Sequence, residues 1–322
     1  MSAEDEPRPA GPKRGEDERS RRLTLLEGWI ERRAGPPGWA WFQDALAAAE
    51  QAGEPRALAR AIALVPRRLG KGELILTRRD MEEAGAVRRG FDPTGLALDQ
   101  AARMALLVAS CRDPDSTGRT IEGLCRTADL GELIAVYRGL PLLPSPERLL
   151  ARAAEGIRSS IKPVFEAVAH RNPFPAEIFD RDSWNQMVLK ALFIGSELRP
   201  IQRLDERANP ELAAILVDYA HERWAAGRPV NPELWRCVGP FADRRALADL
   251  RRILREGSAA ERSAAALALS ASNDVEARSI LGDHPGLQAA IASRRLDWES
   301  ITDNLLAVPS VHAGPESSSR SA

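Results

Sequence analysis

From about residue 23 to residue 305, apolar side chains recur at the three-and-four spacing of an α-helix and almost nowhere alternate as a half-buried strand requires. Helices are expected near 23–34, 37–52, 55–69, 95–110, 119–138, 146–170, 183–194, 210–226, 232–238, 243–255, 259–271, 274–282, 285–293 and 298–305. The run Glu73-Leu74-Ile75-Leu76-Thr77 is the one strand-like stretch, and it stands alone. Aromatic residues make up only 5%, which further disfavours sheet.

Helix starts are marked by their chemistry. Asn209-Pro210-Glu211-Leu212 and Asn231-Pro232-Glu233-Leu234 repeat one tetrapeptide: an Asn cap, a Pro at the first helical position and an acid at the positive helix end. Ser145-Pro146-Glu147 follows the same logic. Ancestral duplication is the weaker explanation of the repeat. The alanine-rich stretch 264–269 suits close helix contact, and 243–293 and 119–170 suggest HEAT-type helical pairs. The expected fold is all-α: an irregular bundle with HEAT-like, solenoid-like pairing and no sharp period.

Residues 1–22 and 306–322 lack the apolar side chains needed to offset ordering entropy, so both are expected to be disordered tails flanking one helical domain over 23–305. The first 22 residues contain no apolar run of the secretory kind, and no later run approaches a membrane span of roughly 20 apolar residues. A cytoplasmic location is therefore expected. The net charge of −1 gives no bulk attraction for nucleic acid. Basic charge is almost all Arg, with lysine only at Lys13, Lys71, Lys162 and Lys190, a bias typical of a GC-rich bacterial coding sequence. Cys111, Cys125 and Cys237 have no metal-type spacing and read as buried, reduced thiols.

No GxSxG, GxxxxGK[ST], HExxH or helix-opening GxGxxG pattern occurs, so no catalytic residue, cofactor or metal site is expected. The unusual polar residues lie between Asn172 and Phe241, a stretch that also holds three of the seven tryptophans. On a helical wheel, Trp184, Met187, Val188, Ala191 and Leu192 form one apolar face, extended by Leu189 and Phe193. Asn185 falls inside that face, either to tie a neighbouring helix or to meet a ligand. Lys190 shares the narrow polar side with Gln186. In the next helix, Arg223 is placed at the centre of a face formed by Leu212, Ile215, Leu216 and Tyr219. There it needs a carboxylate, with Asp205 the first candidate and Glu206 and Asp243 the others, or else an anionic ligand. Asp218, His221 and Glu222 lie on one side of this helix. The Asp218/His221 spacing is half of a carboxylate–histidine metal pattern without its second half. The candidates for ligand or partner binding are therefore Trp184, Asn185, Lys190, Asp205, Asp218, His221, Glu222, Arg223, Trp224 and Trp235.

The blocks Asn172-Pro173-Phe174-Pro175, Trp184 to Phe193, Leu204 to Pro210, Asp218 to Arg228 and Leu234 to Pro240 resemble, in order, the EboA family. The resemblance is tight over about 70 residues and loose over most of the helical chain. It implies a place in bacterial metabolite traffic, moving secondary-metabolite precursors out of the cytoplasm, with other proteins of the same gene cluster or a small-molecule precursor as partners. It supplies no reaction. The expected function is therefore a non-enzymatic helical component of that pathway. The alternative is an enzyme or small-molecule carrier with a polar-aromatic pocket between the 183–194 and 210–226 helices.

Overall fold

A computed structural model describes residues 14–51 and 55–307. The fold is all-α, with eighteen α-helices and no sheet among the described residues. The strand-like run at 73–77 is reduced to a single bridge between Glu73 and Ala97. The chain divides into two compact units within what the sequence suggests is one domain. The first ends at Met187 and includes Pro200–Gln202; the second comprises Val188–Arg199 and the chain from Arg203 onward.

The first unit contains α1 (Arg14–Arg33), α2 (Pro36–Gln51), α3 (Pro55–Leu69), α4 (Arg78–Val87), α5 (Leu98–Ser110), α6 (Pro114–Cys125) and α7 (Leu130–Gly139). It continues with α8 (Leu150–Arg158), α9 (Lys162–Ala169), α10 (Phe174–Ile178) and the first half of α11 (Arg181–Phe193). Its axis is α5, which buries every residue from Leu98 to Ala109 except Gln100. Helices α1, α2, α3 and α7 pack around it. Such a helix must pair its polar groups internally. Arg103 does so, donating from Nη1 to Asp99 Oδ2 at 2.9 Å and from Nε to the Ile62 carbonyl at 3.3 Å.

Helix α1 begins inside the stretch expected to be an N-terminal tail. The alternating charges that suggested disorder there are helix-spaced instead: Asp17 pairs with Arg21 and Glu18 with Arg22. Arg19 and Arg22 also reach the carbonyls of Ala109 and Leu142. Residues 1–13 and 308–322, the remainder of both expected tails, lie outside the described residues.

The expected helices at 119–138 and 146–170 are each divided. The capping box of Asp129 and Glu132 starts α7 anew, and Lys162-Pro163 starts α9. Ser145 does not cap: it sits at φ 49°, and the following turn, Pro146–Leu149, is 3₁₀.

The second unit holds the rest of α11, then α12 (Pro210–Ala225), α13 (Leu234–Val238), α14 (Arg244–Glu256), α15 (Ala259–Ala271), α16 (Val275–Gly282), α17 (Pro285–Ala292) and α18 (Trp298–Ala307). Helix α15 is its hub, touched by α13, α14, α16, α17, α18 and the 3₁₀ turn Gly239–Phe241. Small side chains make this crowding workable. Ala264, Ala265, Ala266 and Ala268 are fully buried, and a Cβ on Gly239 would lie 2.4 Å from the Ala268 carbonyl oxygen.

Candidate functional site

Helix α12 is the spine of the candidate region. Its start follows the tetrapeptide chemistry, with the Asn209 side chain accepting from the Leu212 amide at 2.9 Å. The second copy of the tetrapeptide does a different job. Asn231 accepts from the Glu233 amide, α13 begins only at Leu234, and Glu233, 2% exposed, receives the Thr302 hydroxyl at 2.7 Å.

The buried face of α12 is Leu212, Ala213, Leu216, Val217 and Ala220. Ile215 is 38% exposed, so the helix is rolled away from the expected face. The alanines were the misleading feature, since a small residue that lets another element approach closely counts for little on a hydrophobicity scale. This roll takes Arg223 out of the core. It is only half-buried, and its Nε and Nη2 donate to the Pro229 carbonyl at 3.0 and 2.9 Å. Among the described residues Arg223 has no carboxylate partner, and all three candidates are engaged elsewhere. Asp205 takes Arg236 in a two-point contact at 2.6 and 2.8 Å, Glu206 pairs with Arg203, and Asp243 caps α14.

One turn at a time, α12 meets α14. Asp218 accepts from Arg245 Nη1 at 2.6 Å, His221 Nε2 lies 2.6 Å from Asp249 Oδ2, and Arg252 covers the Trp224 ring at 4.0 Å from its centroid. The contacts advance in the same order along both helices, so these stripes run parallel. Trp224 also stacks on Trp235 at 6.0 Å, and the His221 ring lies 5.4 Å from Trp224. Asp249 is 8% exposed, and the His221 N–H is its closest donor. A carboxylate accepts, so the tautomer that donates to it carries its hydrogen on Nε2. The result is a strip of one imidazole, two carboxylates, two guanidiniums and a tryptophan in which the opposite charges neutralise one another.

Asp249, Arg245, Arg236 and Arg252 were not among the expected residues. The signal for Asp249 was present: an aspartate between Leu247 and Leu250 on an amphipathic helix. Its partner lies 28 residues away, beyond the reach of helical spacing. Asp218 and His221, read together as half a metal motif, turn to different partners. Glu222 is exposed. Among the described residues no group of three or more His, Cys, Asp and Glu side chains gathers as a metal site would.

In α11, Trp184, Met187, Val188, Ala191 and Leu192 are buried as expected, while Phe193 is 70% exposed. Asn185 is buried in the apolar arc at 3% exposure. Burial lowers the pKa of the Lys190 ammonium. A hollow of about 200 Å³ adjoins α12, lined by Ala213, Val217, Asp218, Phe241, Asp243 and Arg245 among others. Its far wall is α14 and the 3₁₀ turn, not α11. The Asn172-Pro173-Phe174-Pro175 block is structural. Buried Asn172 donates to the carbonyls of Tyr137 and Ala167 and accepts from the Phe174 amide, joining three elements of the first unit.

A family model described as metabolite traffic protein EboA matches residues 22–239. That span covers α12 and α13 but stops short of α14, which supplies Asp249 and Arg252. Comparisons with curated proteins and with solved structures find no match.

Proposed function

Because the chain belongs to the EboA family, we propose that it is a non-enzymatic helical component of a metabolite-traffic system, acting by binding a partner protein or a metabolite precursor. One observation carries this reading. Four polar side chains of the central segment are already engaged: Asp205 with Arg236, Asp218 with Arg245, His221 with Asp249, and Arg223 with the Pro229 carbonyl. A catalytic constellation needs groups aimed at a place where a reacting atom sits. Here each group is aimed at its neighbour. No helix among the described residues is long and apolar enough to cross a membrane, and we take the site of action to be the cytoplasm.

The test is affinity capture of the full chain from cells that carry its gene, with metabolite profiling of a deletion strain beside it. The reading expects capture of proteins from the same gene cluster, or of a bound precursor, and precursor accumulation in the deletion strain. Deletion that removes a product without accumulating a precursor, with nothing captured, would sink it. The His221–Asp249 pair favours one alternative, an enzyme or carrier using the α12–α14 strip, because a carboxylate-held imidazole with an exposed edge is suited to proton transfer. Under that alternative, His221→Gln blocks traffic in a fully folded protein.

A further inference from the structure

Two cavities adjoin along α1 in the first unit. One, of about 430 Å³, is a largely apolar groove between α1 and α4, bounded by Leu25, Gly28, Trp29 and Val87, with Arg32 and Glu83 also in its lining. The other, of about 800 Å³, is lined by Arg19, Arg21, Arg22, Arg88, Arg89 and Arg112. They share Arg21, Ala86 and Val87 as a common wall.

The cationic end is built rather than incidental. Glu16 and Glu18 also line it, and Arg19 and Arg21 pair with Glu50 and Asp17, so the surplus positive charge of the lining rests on Arg89 and Arg112. Arg22 and Arg88 are held in place by neighbouring carbonyls of one proline-rich turn: Arg22 Nη1 donates to Leu142 and Arg88 Nε to Pro141, at 2.9 and 3.0 Å. Each also has a carboxylate on one edge, Glu18 and Glu177 respectively. Among the described residues the buried Nε of Arg22 has no hydrogen-bond partner. Burial lowers the Arg22 pKa; Glu18 opposes this and the nearby Arg88 charge adds to it. An anion placed between these guanidiniums relieves their repulsion without reorganising them.

The apolar end passes over a glycine. A Cβ on Gly28 would meet nothing within 4 Å, so the helix leaves space there. Glycine is a poorer helix former than alanine, and no neighbouring atom at this position requires it. The Trp29 indole forms part of the wall, fixed by its N–H to Asp80 Oδ1 at 3.1 Å.

We propose that the first unit binds a soluble, single-chain anionic amphiphile, with a phosphate-ester head among the arginines and an apolar tail in the groove over Gly28. This inference stands on the geometry of the first unit and does not depend on the reading of the α12–α14 strip. The experiment is isothermal titration of the full chain with octyl phosphate, octyl glucoside and inorganic phosphate. Octyl phosphate is expected to bind at least about tenfold more tightly than either of the others. Gly28→Leu should weaken octyl phosphate about tenfold and leave inorganic phosphate unchanged, while raising the melting temperature. The exposed pair Arg89→Gln and Arg112→Gln should weaken octyl phosphate and flatten its salt dependence. Equal binding of octyl glucoside, or an unaltered affinity in a folded Gly28→Leu variant, overturns the proposal. Sedimentation with phosphatidic acid vesicles without octyl phosphate binding also overturns it, in favour of a membrane surface.

Discussion

His221 is held by a buried partner that the sequence of its own helix does not reveal. Asp249 is 8% exposed and receives the imidazole N–H at 2.6 Å, with Arg252 next nearest at 3.9 Å. Replacing His221 with Ala leaves the buried carboxylate without its closest donor, and a loss of about 1–3 kcal/mol is expected in urea unfolding. His221→Gln retains an N–H donor and should lose less than half as much. Equal losses for the two variants would mean that the hydrogen bond is not what the ring contributes. Asp80 offers a pH-dependent counterpart. Burial raises its pKa, but the Thr77 amide and hydroxyl and the Arg32 guanidinium more than reverse this, leaving it below the ordinary 3.8. Its contribution to stability is therefore complete above that value and is lost as pH falls through the lower folded value. The acid limb of the stability curve should flatten in Asp80→Asn, and an unchanged limb would show that other carboxylates govern it.

At the scale of elements, backbone contacts and caps decide more than hydrophobic periodicity. Gly239 lies so close to α15 that a methyl group would meet the Ala268 oxygen at 2.4 Å and its Cα at 2.7 Å. Both are backbone atoms, so no rotamer change relieves the clash. Gly239→Ala is expected to cost about 3 kcal/mol by chemical denaturation; a change under about 1 kcal/mol would contradict this packing. Caps explain much of what was legible and what was not. Asn209-Pro210 announces α12 correctly because its chemistry is local. Helix α4 lies outside the expected helices although Thr77 and Asp80 form its capping box, because the preceding Leu-Ile-Leu run has the composition of a strand. The roll of α12 was hidden for another reason: Ala213 and Ala220 are buried by what approaches them, which the helix's own sequence does not record.

For the whole molecule, the all-α class was legible because it depends on a period repeated along the chain. The site pairings were not, because each joins residues far apart in sequence, such as Asp205 with Arg236 and His221 with Asp249. The division into two units left no mark in composition. Packing does protect the thiols as expected, though Cys125 is less deeply placed than Cys111 and Cys237. Burial pushes the Cys237 pKa up to about 12 and that of Cys125 to about 11, and raises that of Cys111. At pH 8 the thiols should react with a disulfide reagent only slowly in the native protein and fully in denaturant; a rapid native reaction would reveal a thiolate-stabilising site. The central proposal, that the paired polar residues of the second unit stabilise it and do not perform chemistry, has a direct measurement. A strain producing the chain with Asp205→Asn, Asp218→Asn and His221→Gln together is compared with parent and deletion strains for precursor inside and outside the cells. The account predicts a distribution like the parent's. A variant that is folded, present at the parental level, and yet indistinguishable from the deletion would contradict it.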